Sequence, residues 1–325
     1  MTLHENPEQF KQAILLTAQQ IDISEIYVEK DYWVTYALYT IFHNEIGKHT
    51  VFKGGTALLK CDELIQRFSE DIDLVILRQG GESSNQLGNK VKRISKAVSD
   101  ILPEVQVVNI TQKMGMNRKT AHTYPKVFSG EFGQIREIIV VEATWLGYFE
   151  PYITRNISSF IYRMLQNAGQ EIVAKQYGLL PFEVLVLDPK RTFCEKIMSL
   201  IRFSYTSQPL NDLRLKVRHT YDLHRLLQLE EFVVFFDSKQ FDEMLLKVAN
   251  DDVKSYKNNN LWLQYHPNNA LIFADTETVW TNLKEAYNGA FRDLVYGEFP
   301  KDEEVLITLL RIRDRVARVE WIVNL

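Results

Sequence analysis

The sequence predicts an α+β fold: a small mixed β-sheet core with N-terminal helices, followed by a mainly helical C-terminal region. Three observations predict it. Short apolar or alternating runs, the mark of strands, fall between residues 50 and 187. Apolar residues at helical spacing dominate before and after that span. Within it, the pair Gly54-Gly55 is followed by Asp71-Ile72-Asp73-Leu74, which reads as a helix start and then a strand. The expected division is a core with its N-terminal helices over 1–187 and a helical domain over 188–325.

Taken in order, residues 7–47 carry Phe10, Ile14, Leu15 and Ala18, then Tyr32, Trp33, Tyr36 and Ala37, at helical spacing. Ser24 with Glu25 starts the second helix. A third helix is expected from Thr56 to about Gln66, then the Asp71–Ile76 strand, and a polar Gly/Ser-rich loop from Gln79 to Asn89. Lys90–Leu102 returns to helix through Ile94, Ala97, Val98 and Ile101. Strands are expected at Val105–Ile110, Thr120–Phe128 and Ile135–Trp145, the last two joined by a turn over 129–133. From 152 to 187 the pattern is mixed. Asp188-Pro189 opens a helix over Lys190–Phe203, close enough to the boundary to serve both regions. Helices are expected at Leu213–Leu229, around Val279–Val295, and from Glu303 to Trp321.

Composition narrows the class. With 46% hydrophobic and 25% charged residues, the 325-residue chain can bury a substantial core. The net charge of −4 gives no global attraction to nucleic acid, so RNA contacts must be local. Two cysteines, Cys61 and Cys194, exclude a disulfide scaffold, and no Cys/His cluster suggests zinc. Glu5, Glu8 and Lys11 interrupt any signal-like apolar run, and no stretch reaches membrane-spanning length. A cytoplasmic protein without a membrane partner is expected.

The chemistry concentrates in Lys53-Gly54-Gly55-Thr56-Ala57-Leu58 and Phe68-Ser69-Glu70-Asp71-Ile72-Asp73-Leu74. Glycines let backbone approach phosphates, and free N–H groups at a helix start favour anions. Residues two apart on a strand share a face, so Asp71 and Asp73 can converge while Ile72 and Leu74 face a core. Two hard oxygen donors beside a phosphate cradle suit Mg²⁺ and a nucleoside triphosphate, the needs of nucleotidyl transfer. Each half alone has a plainer reading, as a turn and a solvated loop. Glu142 interrupts Ile138-Ile139-Val140-Val141 and is the candidate third carboxylate, against a strand edge turning to solvent.

The string KGGTAL…RFSEDIDL resembles the AbiEii/AbiGii nucleotidyltransferase toxins, a branch of the DNA polymerase β-like superfamily. Glu29-Lys30-Asp31-Tyr32-Trp33, Arg191-Thr192-Phe193-Cys194-Glu195-Lys196 and Tyr221-Asp222-Leu223 resemble it too, and the likeness runs from about residue 10 to near the end. It implies a Mg²⁺-dependent enzyme, with a two-metal site on Asp71, Asp73 and Glu142. Phosphates would be cradled by Gly54, Gly55 and Thr56, with Lys53, Arg67 and Ser69 beside them. It implies that Lys196, on the rim of an apolar helix face, holds the triphosphate, and that Asp222 is an essential aspartate orienting Lys196 or the acceptor. Without the resemblance, both would read as surface charges.

The resemblance further implies a toxin of a toxin–antitoxin or phage-defence system with a separately encoded antitoxin. The co-substrate would be an NTP and the acceptor RNA, the tRNA 3′ end being one such acceptor. Two basic sets support a polyanion: Arg118, Lys119, His122 and Lys126 with Tyr124, and Arg202, Arg214, Lys216, Arg218, His219 and Arg225. Two alternatives stay open: the same site acting on a protein or small-molecule hydroxyl, and a non-enzymatic binding module.

Overall fold

The computed structural model describes residues 1–61, 63–130, 135–256 and 259–325. The chain forms two compact units, one of Met1–Glu63 with Arg67–Leu187, the other of Leu64–Gln66 with Asp188–Leu325.

In the first unit, α1 (Pro7–Ile21) begins where the Asn6 side chain accepts from the Gln9 amide and Pro7 pre-sets the first turn. Then follow α2 (Glu25–His43), β1 (Thr50–Lys53), α3 (Gly54–Lys60), β2 (Ile72–Ile76) and α4 (Ser84–Ser99). Strands β3 (Glu104–Val105), β4 (Gln112–Lys113), β5 (Asn117–His122), β6 (Ile139–Thr144) and β7 (Tyr152–Ile157) come next. The unit closes with α5 (Phe160–Asn167), α6 (Glu171–Gln176) and β8 (Phe182–Leu187). The strands make one sheet in the order β3-β5-β6-β2-β1-β8-β7, with β4 paired to β5. It is mixed: β2–β6 and β1–β8 are parallel, while β1–β2, β5–β6 and β7–β8 are antiparallel.

Alternation along the strands splits their residues between two faces. Phe52, Ile72, Leu74, Ile76, Ile139, Val141 and Ala143 join the main core with apolar residues of α1, α2, α4 and α5. The opposite face holds only a small cluster of Val51, Val75 and Leu187. Asp73 shares that face with Val75, and Glu142 shares it with Val140. One side of the sheet is therefore given to the main core, and the other mixes a smaller apolar cluster with charged side chains.

Several elements differ from the sequence expectation. The third helix ends at Lys60, not near Gln66: Cys61 caps it, Glu63 turns to positive φ (51°), and Leu64–Gln66 join the second unit. There the Gln66 carbonyl accepts from the Tyr296 amide at 3.1 Å. The supposed loop over 79–89 contains the start of α4, set by a Ser83–Gln86 capping box. The expected strand at 105–110 stops at Val105, because Asn109 takes a left-handed turn (φ 63°) and Thr111 bonds back to Val107. Strand β5 lies at 117–122 instead of 120–128, and β6 at 139–144 instead of 135–145. Of the expected turn at 129–133, residues 131–133 lie outside the described residues.

The second unit comprises α7 (Pro189–Phe203), α8 (Pro209–Arg214), α9 (Val217–Leu226), α10 (Glu230–Phe236), α11 (Lys239–Ser255), α12 (Leu271–Ala274), α13 (Thr276–Asn288) and α14 (Asp302–Val316). Asp188 caps α7 by accepting from the Lys190 amide at 2.7 Å. The single helix expected at 213–229 is two, because the Lys216 amide tightens to the Leu213 carbonyl and ends α8.

Helix α2 buries three successive charges, Glu29, Lys30 and Asp31. Asp31 receives the Lys60 ammonium at 2.6 Å and the Phe160 amide at 2.8 Å, with Lys60 also 2.7 Å from the Thr35 hydroxyl. Removing one partner of such a pair strands a buried charge, whereas removing both does not. Asp31→Ala is expected to destabilise the protein by about 3–5 kcal/mol. Asp31→Ala with Lys60→Met should recover part of that loss. Urea unfolding of the two variants measures the difference.

Candidate active site

Strand register sets four ionisable groups in one row. Lys53 on β1 is paired with Asp73 on β2, Asp73 with Glu142 on β6, and Glu142 with Lys119 on β5. Paired residues project to the same face, so cation, carboxylate, carboxylate and cation lie side by side on the face of the sheet opposite the main core. The Lys119 ammonium sits 3.0 Å from Glu142 Oε2, and the Asn117 amide donates to Glu142 Oε1 at 3.3 Å.

Asp71 immediately precedes β2. Its carboxylate is occupied by Arg136, whose Nη1 lies 2.9 Å from Oδ1 and 3.3 Å from Oδ2. Sequence reasoning missed Arg136, since it read residue 136 as part of a strand over 135–145, with no motif to mark it as a partner of Asp71. Parallel pairing of β2 and β6 brings the residues that precede both strands to one end of the sheet. Arg136 is itself held by backbone. Its amide donates to Glu70 Oε1 at 3.1 Å, and its carbonyl accepts from the buried Lys30 ammonium, which lies 3.5 Å from Glu70 Oε2. Burial lowers the Lys30 ammonium to about 8, against the opposing pull of Glu70 and Asp71.

Asp73 lies half-buried between these neighbours. Burial first, then the Asp71 and Glu142 carboxylates, push it up to about 6. Three hard oxygen-donor groups within electrostatic reach of one another have the chemistry of a divalent-cation site. Among the described residues no three His, Cys, Asp or Glu side chains are already gathered around one point. The two outer carboxylates are instead turned onto Arg136 and Lys119. The donors fit a metal once those cations yield.

The glycine pair borders this row. Gly54 has φ 82°, and a Cβ there would collide with the Asp73 carboxylate. At Gly55 a Cβ would come within 2.8 Å of Arg67 Nη2 and 3.1 Å of Ser69 Oγ. No side chain caps the start of α3. Since α3 has only seven residues, its affinity for anions rests on local N–H groups and little on a macrodipole. The Thr56 hydroxyl donates to the Asp71 carbonyl at 2.6 Å and lies 3.0 Å from the Ser69 hydroxyl, so both side chains brace the loop before Asp71. Arg67 is buried, with Nη1 donating to the Phe68 carbonyl at 3.0 Å.

In the second unit, Lys196 lies inside the helix packing and not on its rim. Its ammonium is 2.6 Å from Asp222 Oδ2, and both residues are buried. Arg191 is buried as well, reaching Glu195 at 3.1 Å and Asp251 at 2.6 Å. His219 is held neutral by burial and by the Lys196 and Lys216 charges, which push its imidazole well below its ordinary value.

The first basic set does not form an RNA-binding strip. His122 is buried against the Leu102 carbonyl and Thr120, Tyr124 packs in the core, and Lys126 pairs with Glu137 at 2.6 Å. In the second set, Arg202 lies over Tyr256 (4.3 Å) and Phe203 (4.9 Å), and Lys216 over Phe203 (4.8 Å). Arg214 instead bonds the Asn282 carbonyl, and Arg225 bonds Gln66.

A family model described as "Nucleotidyl transferase AbiEii toxin, Type IV TA system" matches residues 36–321. No curated protein matches the chain. Among solved structures, the chain is similar to MenT4, a nucleotidyltransferase toxin from Mycobacterium tuberculosis. That match has 16% identity and a TM-score of 0.48, and covers 94% of this chain and 97% of that one.

The raised Asp73 carboxyl generates a pH prediction. Its folded-state value lies above that of an unfolded aspartate, so the native state loses stability as pH rises through about 4 to 6. Asp73→Asn avoids that loss. In metal-free buffer at neutral pH the variant is expected to be about 1–2 kcal/mol more stable, after allowing for solvent screening. The gain should vanish below about pH 4. Melting temperatures across pH measure it.

Proposed function

The chain belongs to the AbiEii family of nucleotidyltransferase toxins of type IV toxin–antitoxin systems, and from that premise we propose that it moves a nucleoside monophosphate from an NTP to an RNA hydroxyl. Membership implies a nucleotide substrate and an antitoxin partner. The observation that carries the proposal is the row Lys53–Asp73–Glu142–Lys119, with Asp71 at its edge and the uncapped Gly54-Gly55 start alongside. Asp71, Asp73 and Glu142 would hold Mg²⁺. When bound, the ions would supply Lewis acidity and charge neutralisation at the phosphates. The N–H groups of Gly54, Gly55 and Thr56 would cradle the phosphates. Lys196, oriented by Asp222, is the ammonium proposed for the triphosphate. In the reaction, the acceptor oxygen bonds to the α-phosphorus and the bond to the bridging oxygen breaks. Pyrophosphate departs, and the hydroxyl proton passes to solvent.

The RNA assignment is supported by Arg202, Lys216, Phe203 and Tyr256, which offer cations and ring faces together. The stacked Tyr205–Tyr265 pair, centroids 5.6 Å apart, adds further ring surface, and Tyr265 is exposed. Among the described residues no helix is long and apolar enough to cross a membrane.

Incubation with total RNA, Mg²⁺ and each α-³²P-labelled NTP tests the reaction. A discrete labelled RNA band is expected, and Asp71→Ala should lower its formation by at least about a hundredfold. RNase-resistant label on protein would replace the RNA acceptor with a protein hydroxyl. Arg202→Ala is expected to weaken RNA binding about tenfold with NTP binding unchanged, as read by fluorescence anisotropy.

A further inference from the structure

We propose that Arg136 is a substrate-coupled gate on the metal site, occupying Asp71 until a nucleotide triphosphate draws it away. The inference rests on the reading of Asp71 as a metal ligand. Its starting point is the contrast between the fixed backbone of Arg136 and the freedom of its side chain. The amide is tied to Glu70 and the carbonyl to Lys30, both buried. The guanidinium is 39% exposed, with Nη1 2.9 Å from Asp71 Oδ1 and 3.9 Å from Glu70 Oε1. A side chain so anchored can swing away from Asp71 while its base stays in register with the row.

The electrostatics give the swing a direction. With Arg136 on Asp71, the carboxylate is neutralised by a charge-assisted bond that an ion must displace. Arg136 cannot remain there once the Asp71 oxygens are spent on an ion. With only the more distant Glu70 carboxylate left to it, 3.9 Å away, the guanidinium would be repelled by the cation beside it. A triphosphate brought to the same rim supplies oxygens of opposite charge in a geometry that a planar guanidinium matches well. Arg136 thus exchanges one anion for another, and nucleotide and ion each favour the binding of the other. By linkage, the effect is reciprocal.

The exchange distinguishes Arg136 from Lys30 and Glu70, which hold the backbone and have no such freedom. It also separates the guanidinium from a simple phosphate contact: a contact would aid nucleotide binding without opposing the ion.

The test measures Mn²⁺ binding by electron paramagnetic resonance, with and without a non-hydrolysable nucleoside triphosphate analogue. Wild type, Arg136→Ala, Arg136→Lys and Asp71→Asn are compared, and circular dichroism checks that each is folded. Without nucleotide, Arg136→Ala is expected to bind Mn²⁺ about tenfold tighter than wild type, since the competing cation is gone. The analogue should tighten Mn²⁺ binding about tenfold in wild type but less than about threefold in Arg136→Ala. Arg136→Lys should fall between them. A purely structural role for Arg136 would weaken Mn²⁺ binding or leave it unchanged. Either result, with Asp71→Asn losing Mn²⁺, would overturn the gate alone. Unchanged Mn²⁺ binding in Asp71→Asn would overturn the metal reading, and the gate with it.

Discussion

Three consecutive buried charges on α2 hold the first unit together around its site. Successive helical residues point about 100° apart, so Glu29, Lys30 and Asp31 leave the helix in three directions. Glu29 accepts from the Val127 and Phe128 amides at 2.6 and 3.0 Å. Lys30 reaches Glu70 and the Arg136 carbonyl, and Asp31 reaches Lys60 and the Phe160 amide. One turn of helix thereby ties down the segments before β2 and β6, the end of α3, and the start of α5. Burying charge costs several kcal/mol per ion unless partners and hydrogen bonds compensate; Lys30 and Asp31 have both, and Glu29 has two backbone amides. The arrangement specifies position more than it adds stability, since apolar replacements of equal volume would hold a core at least as well.

What α2 positions is an electrostatically unfavourable surface. Asp71, Asp73 and Glu142 are close enough that Asp73 resists ionisation. Ordinary packing would not retain three carboxylates at one end of a sheet. Arg136 and Lys119 make close ion pairs with the outer two, and Lys53 and Lys119 only partly offset the burial and repulsion that raise the middle one. The main core lies on the opposite face, so the repulsion is borne without disturbing the packing of Ile72, Leu74 and Val141. Stability given up at a functional site is tolerable when the framework beneath it is independent of the strain.

Local alternation was legible in the sequence: Ile72 and Leu74 are in the core and Asp73 is on the other face, as the two-residue period requires. The charge in the apolar run at Glu142 also marked a position set opposite Asp73 by register. What could not be read was anything depending on which distant segments pair. Arg136 lies 65 residues from Asp71 and carries no local signal. The interleaving of His122 and Tyr124 with basic residues looked like a binding strip, yet both face inward because β5 is covered on that side. The early end of α3 likewise follows from Leu64–Gln66 joining the other unit, which no helical propensity encodes. The Ser83–Gln86 box was available to sequence reading, and a strict search for capping pairs would have found it.

The motif around residues 69–73 therefore contains two kinds of carboxylate. Glu70 is buried and directed to Lys30, while Asp71 and Asp73 are partly open. In the second unit both such pairs are buried: Arg191 ties α7 to Asp251 on α11, and Lys196 meets Asp222 on α9. Proximity in sequence to a chemically active group is thus no guide to role. Glu70 and Arg191 fix the elements that carry their neighbours, so their loss would act through geometry. Loss of Asp71 or Asp73 would leave that geometry standing and remove a carboxylate proposed to hold the ion. Charge density in a motif divides into frame and site according to which face each side chain takes, and that division is settled by the partners the fold brings from far along the chain.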